Sequence, residues 1–376
     1  MGTPAGMRVL NQRAVLDRLR ADGPATRPQI ARQTGLSKPT VGQALLDLEQ
    51  HGLVRAIGRT TAGPGRSAVV YEPNPAAGHV LGVDVGRQRI RAAVADLAGR
   101  VIARVDERNR CRSAPALVKA VAEVSSRAAA EAGLAPADLV VKVVGLPGVP
   151  DRRDGTLRHA PNVPGLERPG LLADLEDALG AELLVENDAN LAAVGEQAQG
   201  AARGAEVFVC VSVGTGIGMG IVVDGRLFRG AHGAAGEIGY LPWSPGGGHV
   251  EAVAAAGSVV ALAQEHGLVA RSARDVFAAA RSGDERALAA VRDEAGRLAF
   301  AVASVVAVID PELVVLGGGI GRSADLLQEP LEAALRRLTP FAPKVVAGEL
   351  GDGAVLSGAV AMGLRSARDL VFDRRG

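Results

Sequence analysis

The sequence predicts an α/β protein with two parts. A small winged helix-turn-helix head spans residues 1–75, and a duplicated, two-lobed core spans residues 76–376 with a ligand cleft between its lobes. Three observations carry that prediction. Two apolar runs, Val80–Val85 and Val207–Val213, each break into a glycine turn and return as a second apolar run. An offset of 128 positions carries Val83-Asp84-Val85-Gly86 onto Val211-Ser212-Val213-Gly214, Val94 onto Val222 and Asp96 onto Asp224. The third is charge: nine Arg and Lys38 against five acids give the first 75 residues a net +5 in a chain of net +1. The rest is mildly acidic, so a polyanion contact is expected at one end alone.

Within the head, Asn11 to Arg20 sets Val15, Leu16 and Leu19 on one face, as a short amphipathic helix does. Asp22-Gly23-Pro24 ends it. Thr26 is a good N-cap and Pro28 fits a first turn, so a second helix runs through Gln33. Thr34-Gly35-Leu36-Ser37 is a tight connection, and Ser37 caps a third helix that runs to Gln50 and stops at Gly52. Leu53–Ile57 and Val69–Tyr71 then pair as a two-stranded wing around Gly63-Pro64-Gly65-Arg66. A head of this kind lays its third helix in the major groove. Ser37, Lys38, Thr40 and Gln43 are therefore expected at base edges, with Arg59 and Arg66 of the wing on phosphates or in the minor groove. The bland alternative is a solvated face of a small helical domain, and the spacing and charge weigh against it.

Glu72-Pro73-Asn74-Pro75 reads as a stiff linker, because each proline forces an extended residue before it. Beyond it, strands are expected at Val80–Val85, Ile90–Asp96, Val101–Val105 and Leu139–Val144, with a helix over Pro115–Gly133. Leu171–Leu179 is helical, and a strand over Glu182–Glu186 delivers Asn187 and Asp188 at its end. Helices follow over 250–266, 272–282, 284–309, 323–338 and 357–370, with strands at Leu313–Leu316 and Lys344–Ala347. At 376 residues and 48% hydrophobic the chain can bury a large core, and with 2% aromatics it must build that core from Val, Leu and Ala. Cys111 and Cys210 are too few for a disulfide framework and have no metal-ligand spacing. No apolar stretch approaches the roughly 18 residues of a membrane span. No signal-peptide core is present at the N-terminus. A cytoplasmic protein without membrane contact is expected.

The repeated hairpins, Glu186-Asn187-Asp188-Ala189-Asn190, the Gly214-Thr215-Gly216-Ile217-Gly218 turn and Gly233-Ala234-Ala235-Gly236-Glu237-Ile238-Gly239 resemble the ROK family from about Val80 onward. That family holds sugar kinases and sugar-responsive repressors of the actin/hexokinase-like (ribonuclease H-like) superfamily. The order Leu36-Ser37-Lys38-Pro39-Thr40-Val41, with a Gly65-Arg66 wing tip, is similar to the DNA-binding head of its repressors. The resemblance implies that Asn162, Asn187, Glu237 and Glu251 hold a sugar ring. It also implies that Asp188 faces the sugar hydroxyl that a kinase would deprotonate. Carboxylates and amides suit that task because each pairs with two hydroxyls. A helix N-cap is the structural alternative for Asn187-Asp188, and the two roles are compatible.

Three departures bear on activity. Asp84-Val85-Gly86-Arg87-Gln88-Arg89 stands where family kinases keep a small Asp-x-Gly-Gly-Thr type phosphate turn, and the bulky Arg87 and Arg89 make ATP chemistry unexpected. Tyr240 replaces the histidine that in the family touches both zinc and sugar, and is expected among the ligand contacts. Leu241–Val250 contains no cysteine, and one histidine, His249, cannot supply the four ligands of structural zinc. Neither a metal nor a cofactor is therefore expected. The leading expectation is a homodimeric, or dimer-of-dimers, repressor of carbohydrate uptake or catabolism genes. It would bind an inverted-repeat operator and respond to a sugar or sugar derivative. An active sugar kinase is the runner-up, and a regulator with a non-sugar ligand the third reading.

Overall fold

In the computed structural model, which describes residues 4–61, 67–151, 153–160, 165–180, 182–244 and 247–375, three helices form the head. They are α1 (Pro4–Asp22), α2 (Arg27–Thr34) and α3 (Lys38–Gln50), packed around Val15, Leu19, Ile30, Val41, Leu45 and Leu48. α2 opens at Thr26, whose N–H donates to the Gln29 Oε1 at 2.8 Å, and α3 opens at Ser37, whose Oγ accepts the Thr40 N–H at 3.2 Å. α1 begins at Pro4 rather than Asn11. Its extra turns are held by polar contacts from Arg8 and Gln12 to Asp47 of α3, which apolar periodicity does not register. The wing strands β2 (Val54–Thr61) and β3 (Ser67–Pro73) are joined by a short β1 (Ala25–Thr26), so the head sheet has three strands rather than two.

The first lobe is built on β4 (His79–Val85), β5 (Arg89–Asp96), β6 (Val101–Arg108), β7 (Leu139–Leu146) and β10 (Leu183–Asn187), in the order β10-β7-β4-β5-β6. α4 (Ala114–Glu131) and α5 (Leu171–Leu179) cover one face, and a small hairpin, β8 (Val149–Asp151) and β9 (Thr156–Arg158), stands beside the edge. α6 (Asp188–Gln199) leads to the second lobe. Its sheet comprises β11 (Phe208–Val213), β12 (Ile217–Val223), β13 (Arg226–Leu227), β16 (Leu313–Gly317) and β17 (Lys344–Ala347), in the order β13-β12-β11-β16-β17. Between these come the hairpin β14 (Pro242–Ser244) and β15 (Gly247–His249) and helices α7 (Val250–Val253), α8 (Ala256–Glu265), α9 (Ala273–Arg281) and α10 (Glu285–Ile309). α11 (Gly318–Gly321), α12 (Ala324–Leu338) and α13 (Ala354–Arg375) complete the chain.

The two sheets repeat one topology. β4 and β11 each run antiparallel to the next strand and parallel to β7 and β16, which are in turn parallel to β10 and β17. The expected helix over 250–266 is broken at Ala254-Ala255. There the Ser258 Oγ accepts the Ala255 N–H at 2.9 Å and is itself fixed by buried Glu294, at 2.9 Å. The last helix is longer at both ends than 357–370.

α6 and α13, the corresponding helices of the two halves, cross almost backbone to backbone. A Cβ on Gly195 would lie 2.3 Å from the Ala354 carbonyl oxygen, and one on Gly358 would lie 1.8 Å from that of Leu191. Buried Glu196 locks the crossing by accepting the N–H groups of Ala201 at 2.9 Å, Glu349 at 3.1 Å and Leu350 at 3.0 Å. At its far end α13 puts Val371 and Phe372 into the head's own core. The Arg13 guanidinium lies 4.7 Å from the Phe372 ring and pairs with Asp373 at 2.8 Å. Gly358→Ala is therefore expected to destabilise the body by more than about 3 kcal/mol in urea unfolding, since two backbones, not flexible side chains, must give way. A loss below about 1 kcal/mol would show that the crossing has room.

Candidate functional site

On the head, Lys38 is exposed at the first residue of α3, and Gln43 is exposed one face-turn later. The Ser37 and Thr40 hydroxyls are 2.8 Å apart and close the helix cap on each other. The Gln43 Nε2 donates to Asp47 at 2.9 Å. With Arg8 at 2.6 Å and Gln12 at 2.9 Å, three side chains converge on this buried carboxylate, and the Arg8 hydrogen bond holds it well below the usual range. Arg59 is exposed on β2 and reaches the Ser67 Oγ at 3.4 Å. Arg66 lies outside the described residues. Arg27 escaped the sequence reading: Gly42 lacks the side chain that would meet its guanidinium at 2.9 Å, so Arg27 lies across α3 as a further exposed cation.

Between the lobes a cavity of about 250 Å³ is lined by Asn187, Asp188, Glu237, Tyr240 and Glu251, which brings five of the predicted ligand residues together. Asn162 lies outside the described residues. Asn187, not Asp188, is the cap of α6: its Oδ1 accepts the Asn190 N–H at 3.1 Å while its Nδ2 donates to the Gly148 carbonyl at 3.1 Å. Asp188, the first helical residue, is left facing the cavity. Burial pushes its carboxyl up to about 7, with Asp84 and Glu237 adding to the rise against the opposing Ala189 N–H. Glu237 is raised as well, again chiefly by burial. The Glu251 Oε2 accepts the Ile217 N–H at 3.3 Å, and a Cβ on Gly216 would sit 2.6 Å from that oxygen. Glu251 thus braces the glycine turn, and the turn must be glycine to be braced this way.

His159 was not anticipated. Its backbone is left-handed at φ 57°, and its ring lies 4.7 Å from that of Tyr240, which in turn meets His249 at 5.9 Å. The His249 Nδ1 is 3.1 Å from the Tyr240 carbonyl oxygen. The three rings form a tilted and edge-on cluster at the cavity wall. Among the described residues, no three His, Cys, Asp or Glu side chains are grouped as metal ligands.

A second cavity of about 250 Å³ adjoins the first, sharing Asp188 and Ser212 with it. Asp84 opens onto it and is ion-paired with Arg91 at 3.0 Å, while burial raises its carboxyl to about 6 against that pairing. Arg322 and Asp352 pair across the same cavity at 2.9 Å. The two arginines expected at the phosphate turn point to different places. Arg89 turns away to pair with Asp106 on β6, and Arg87 lines the first cavity. The arginine beside Asp84 is Arg91, two residues further along β5 and hidden in an ordinary alternating run.

The ROK family profile matches residues 80–365, and a winged helix-turn-helix DNA-binding profile matches residues 10–55. The chain belongs to the ROK family. Across nearly the whole chain it is similar to the xylose repressor of Caldicellulosiruptor bescii, 25% identical over 390 residues, covering 96% of this chain and 97% of that one. It is 31% identical over 309 residues to a glucokinase of Halalkalibacterium halodurans, covering 74% of this chain and 93% of the kinase. The crystal structure of a ROK family transcriptional regulator, a homolog of the E. coli MLC protein, shares its fold with a TM-score of 0.81. That match is 22% identical and covers 98% of each chain. The ROK body is thus joined to a winged head, as in regulators of the family, and no described helix is long and apolar enough to cross a membrane.

The raised Asp188 pKa fixes the sign of a pH effect in this ROK chain. A carboxyl raised above its ordinary value near ~3.9 binds protons more readily folded than unfolded. Its stabilising contribution is complete below ~pH 4 and is lost as pH rises toward about 7. Asp188→Asn is therefore expected to be more stable than the parent at pH 8 by about 2–4 kcal/mol in urea unfolding, the gap closing toward pH 4. An equal gap at both pH values would assign the effect to packing.

Proposed function

We propose that this ROK protein is a sugar-responsive transcriptional regulator, most simply a repressor of genes for carbohydrate uptake or breakdown. The observation that carries the reading is the continuity of α13. One end lies at the inter-lobe cavities beside Arg322 and Asp352, and the other completes the core of the DNA-binding head. A ligand on Asn187, Asp188 and Glu237 that favours one closure of the lobes would move α6 and, through the locked crossing, α13 with it, and so bias how the head is presented. The ligand moves that equilibrium by the difference in its affinity for the two closures. The xylose repressor relatives and the regulator fold support a sugar as effector and DNA as partner. One small head reads few base pairs, so a homodimer on an inverted repeat, with half-sites about one or two turns of ~34 Å apart, follows from the same reasoning.

Selection from random DNA with the full-length protein should return an inverted repeat. Lys38→Ala should weaken binding to it by about 1–3 kcal/mol. Recovery of no preferred site would overturn the regulator reading.

Kinase activity is the competing proposal, supported by the glucokinase relative at 31% identity and by the surviving Asp188. Phosphoryl transfer depends on cradling the phosphates and holding a metal beside them. Here the carboxylate suited to that metal, Asp84, is taken by Arg91. Incubation with ATP, Mg²⁺ and a sugar panel is expected to give no turnover in the ordinary range of about 1–10³ s⁻¹. Turnover in that range, abolished by Asp188→Asn, would make the protein an enzyme.

A further inference from the structure

We infer that Gln43 reads one adenine in each operator half-site, and that the buried Asp47 carboxylate is its positioning residue, holding the Gln43 amide in the reading orientation. The inference rests on the regulator reading and adds the base that the head selects. Three observations carry it.

The first is what α3 offers a base edge. Val41, Ala44, Leu45 and Leu48 bury one side of the helix, while Lys38, Gln43 and Leu46 are exposed on the other. In a winged head the first turns of that helix meet the bases. The Ser37 and Thr40 hydroxyls are already closed on each other at 2.8 Å, and Lys38 can only donate. Gln43 carries the one side-chain amide between Lys38 and Leu45, so it alone brings a donor and an acceptor together there.

The second is Asp47, one turn further on and 3% exposed. The Arg8 Nε and Nη2 donate to it at 2.7 and 2.6 Å, and the Nε2 atoms of Gln12 and Gln43 each donate at 2.9 Å. The Arg8 hydrogen bond is the main cause that keeps this carboxyl ionised, and an ionised carboxylate only accepts. The Gln43 nitrogen must therefore face Asp47 and its oxygen must face away, because a flipped amide would set two acceptors against each other. Gln12 shows how firmly this carboxylate orients an amide. Its nitrogen also faces Asp47, although its buried Oε1 is then left with no partner among the described residues. Arg8 lies on the early turns of α1, so those turns serve the reading helix.

The third is complementarity. With one N–H on Asp47, Gln43 keeps one N–H and both lone pairs of Oε1 for the groove. Adenine presents there an acceptor, N7, beside a donor, the N6 amino group, and a fixed donor–acceptor pair meets both. Guanine presents two acceptors, thymine an acceptor and a methyl group, and cytosine a donor, so each meets only one of the two. An unheld glutamine could turn both of its N–H groups toward guanine. One whose second N–H is on Asp47 cannot, and its orientation is set before DNA arrives.

The test starts from the site that the full-length protein selects out of random DNA. Each adenine is then replaced in both half-sites by guanine, by 7-deazaadenine, which lacks the N7 acceptor, or by 2-aminopurine, which lacks the N6 amino group. At one adenine per half-site, guanine is expected to weaken binding about tenfold or more and each analogue about threefold or more. In Gln43→Ala the same replacements should cost less than about twofold. Asp47→Asn should bring adenine and guanine at that position within about threefold while discrimination at the other base pairs persists. A merely structural role would weaken all sequences alike. Since a change at a buried site can cost stability, the side-chain NH2 pair of Gln43 in the parent protein is also followed by NMR, assigned by its loss in Gln43→Ala. One of its protons is expected to exchange about fivefold or more slowly than the other. If no adenine loses its effect in Gln43→Ala, or the base that does is not adenine, this inference is overturned and the regulator reading stands. Uniform weakening in Asp47→Asn, or two Gln43 protons that exchange equally fast, overturns the role given to Asp47. Selection of no preferred site removes the regulator reading and this inference together.

Discussion

The crossing of α6 and α13 ties the inter-lobe cavities to the helix that enters the head's core. The two helices meet where neither has a side chain, at Gly195 and Gly358, and their backbones interlock more closely than any pair of Cβ-bearing residues allows. Close-packed contacts of this kind are bistable rather than softly deformable, so a shift of one helix must be met by the other. Glu196 adds a second lock by tying the end of α6 to the segment just before α13. Because α6 begins at Asp188 and α13 ends in the head's core, the inter-lobe cavity and the winged head lie at two ends of one path of packed helices.

The cleft sets two carboxylates, Asp188 and Asp84, in different surroundings. Asp188 retains its place, with a carboxyl that burial brings to about 7. In a kinase that value suits a general base. In a sensor the same group both accepts and donates near neutral pH, which suits a sugar hydroxyl equally well. The other carboxylate, Asp84, is ion-paired with Arg91 at 3.0 Å.

Much of the fold was legible because the chain repeats itself. The offset of 128 that aligns Val83–Gly86 with Val211–Gly214 also carries β4 onto β11 and the start of β5 onto that of β12. Ser37 as a cap, Leu171–Leu179 and Lys344–Ala347 were readable from local chemistry alone. The early start of α1 was not, because Arg8 and Gln12 hold it through a buried carboxylate rather than an apolar face. Nor was Arg91, which reads as an ordinary strand residue until the sheet register sets it opposite Asp84. His159 belongs to the cavity through a left-handed turn of the chain, a backbone property that its side-chain type does not announce.

The head is likewise less separate than a chain division near residue 75 suggests. Its apolar core draws Ala77 from the segment after the linker, and Val371 and Phe372 from the last helix. Arg13 is held over Phe372 while it pairs with Asp369 and Asp373, and Arg20 donates to the Arg368 carbonyl at 2.9 Å. A head tethered by a proline linker alone would swing freely, and closure of the lobes could not set its direction. Here the linker and the helix end grip it from two sides. Orientation, not attachment, is then the quantity that a ligand between the lobes can alter.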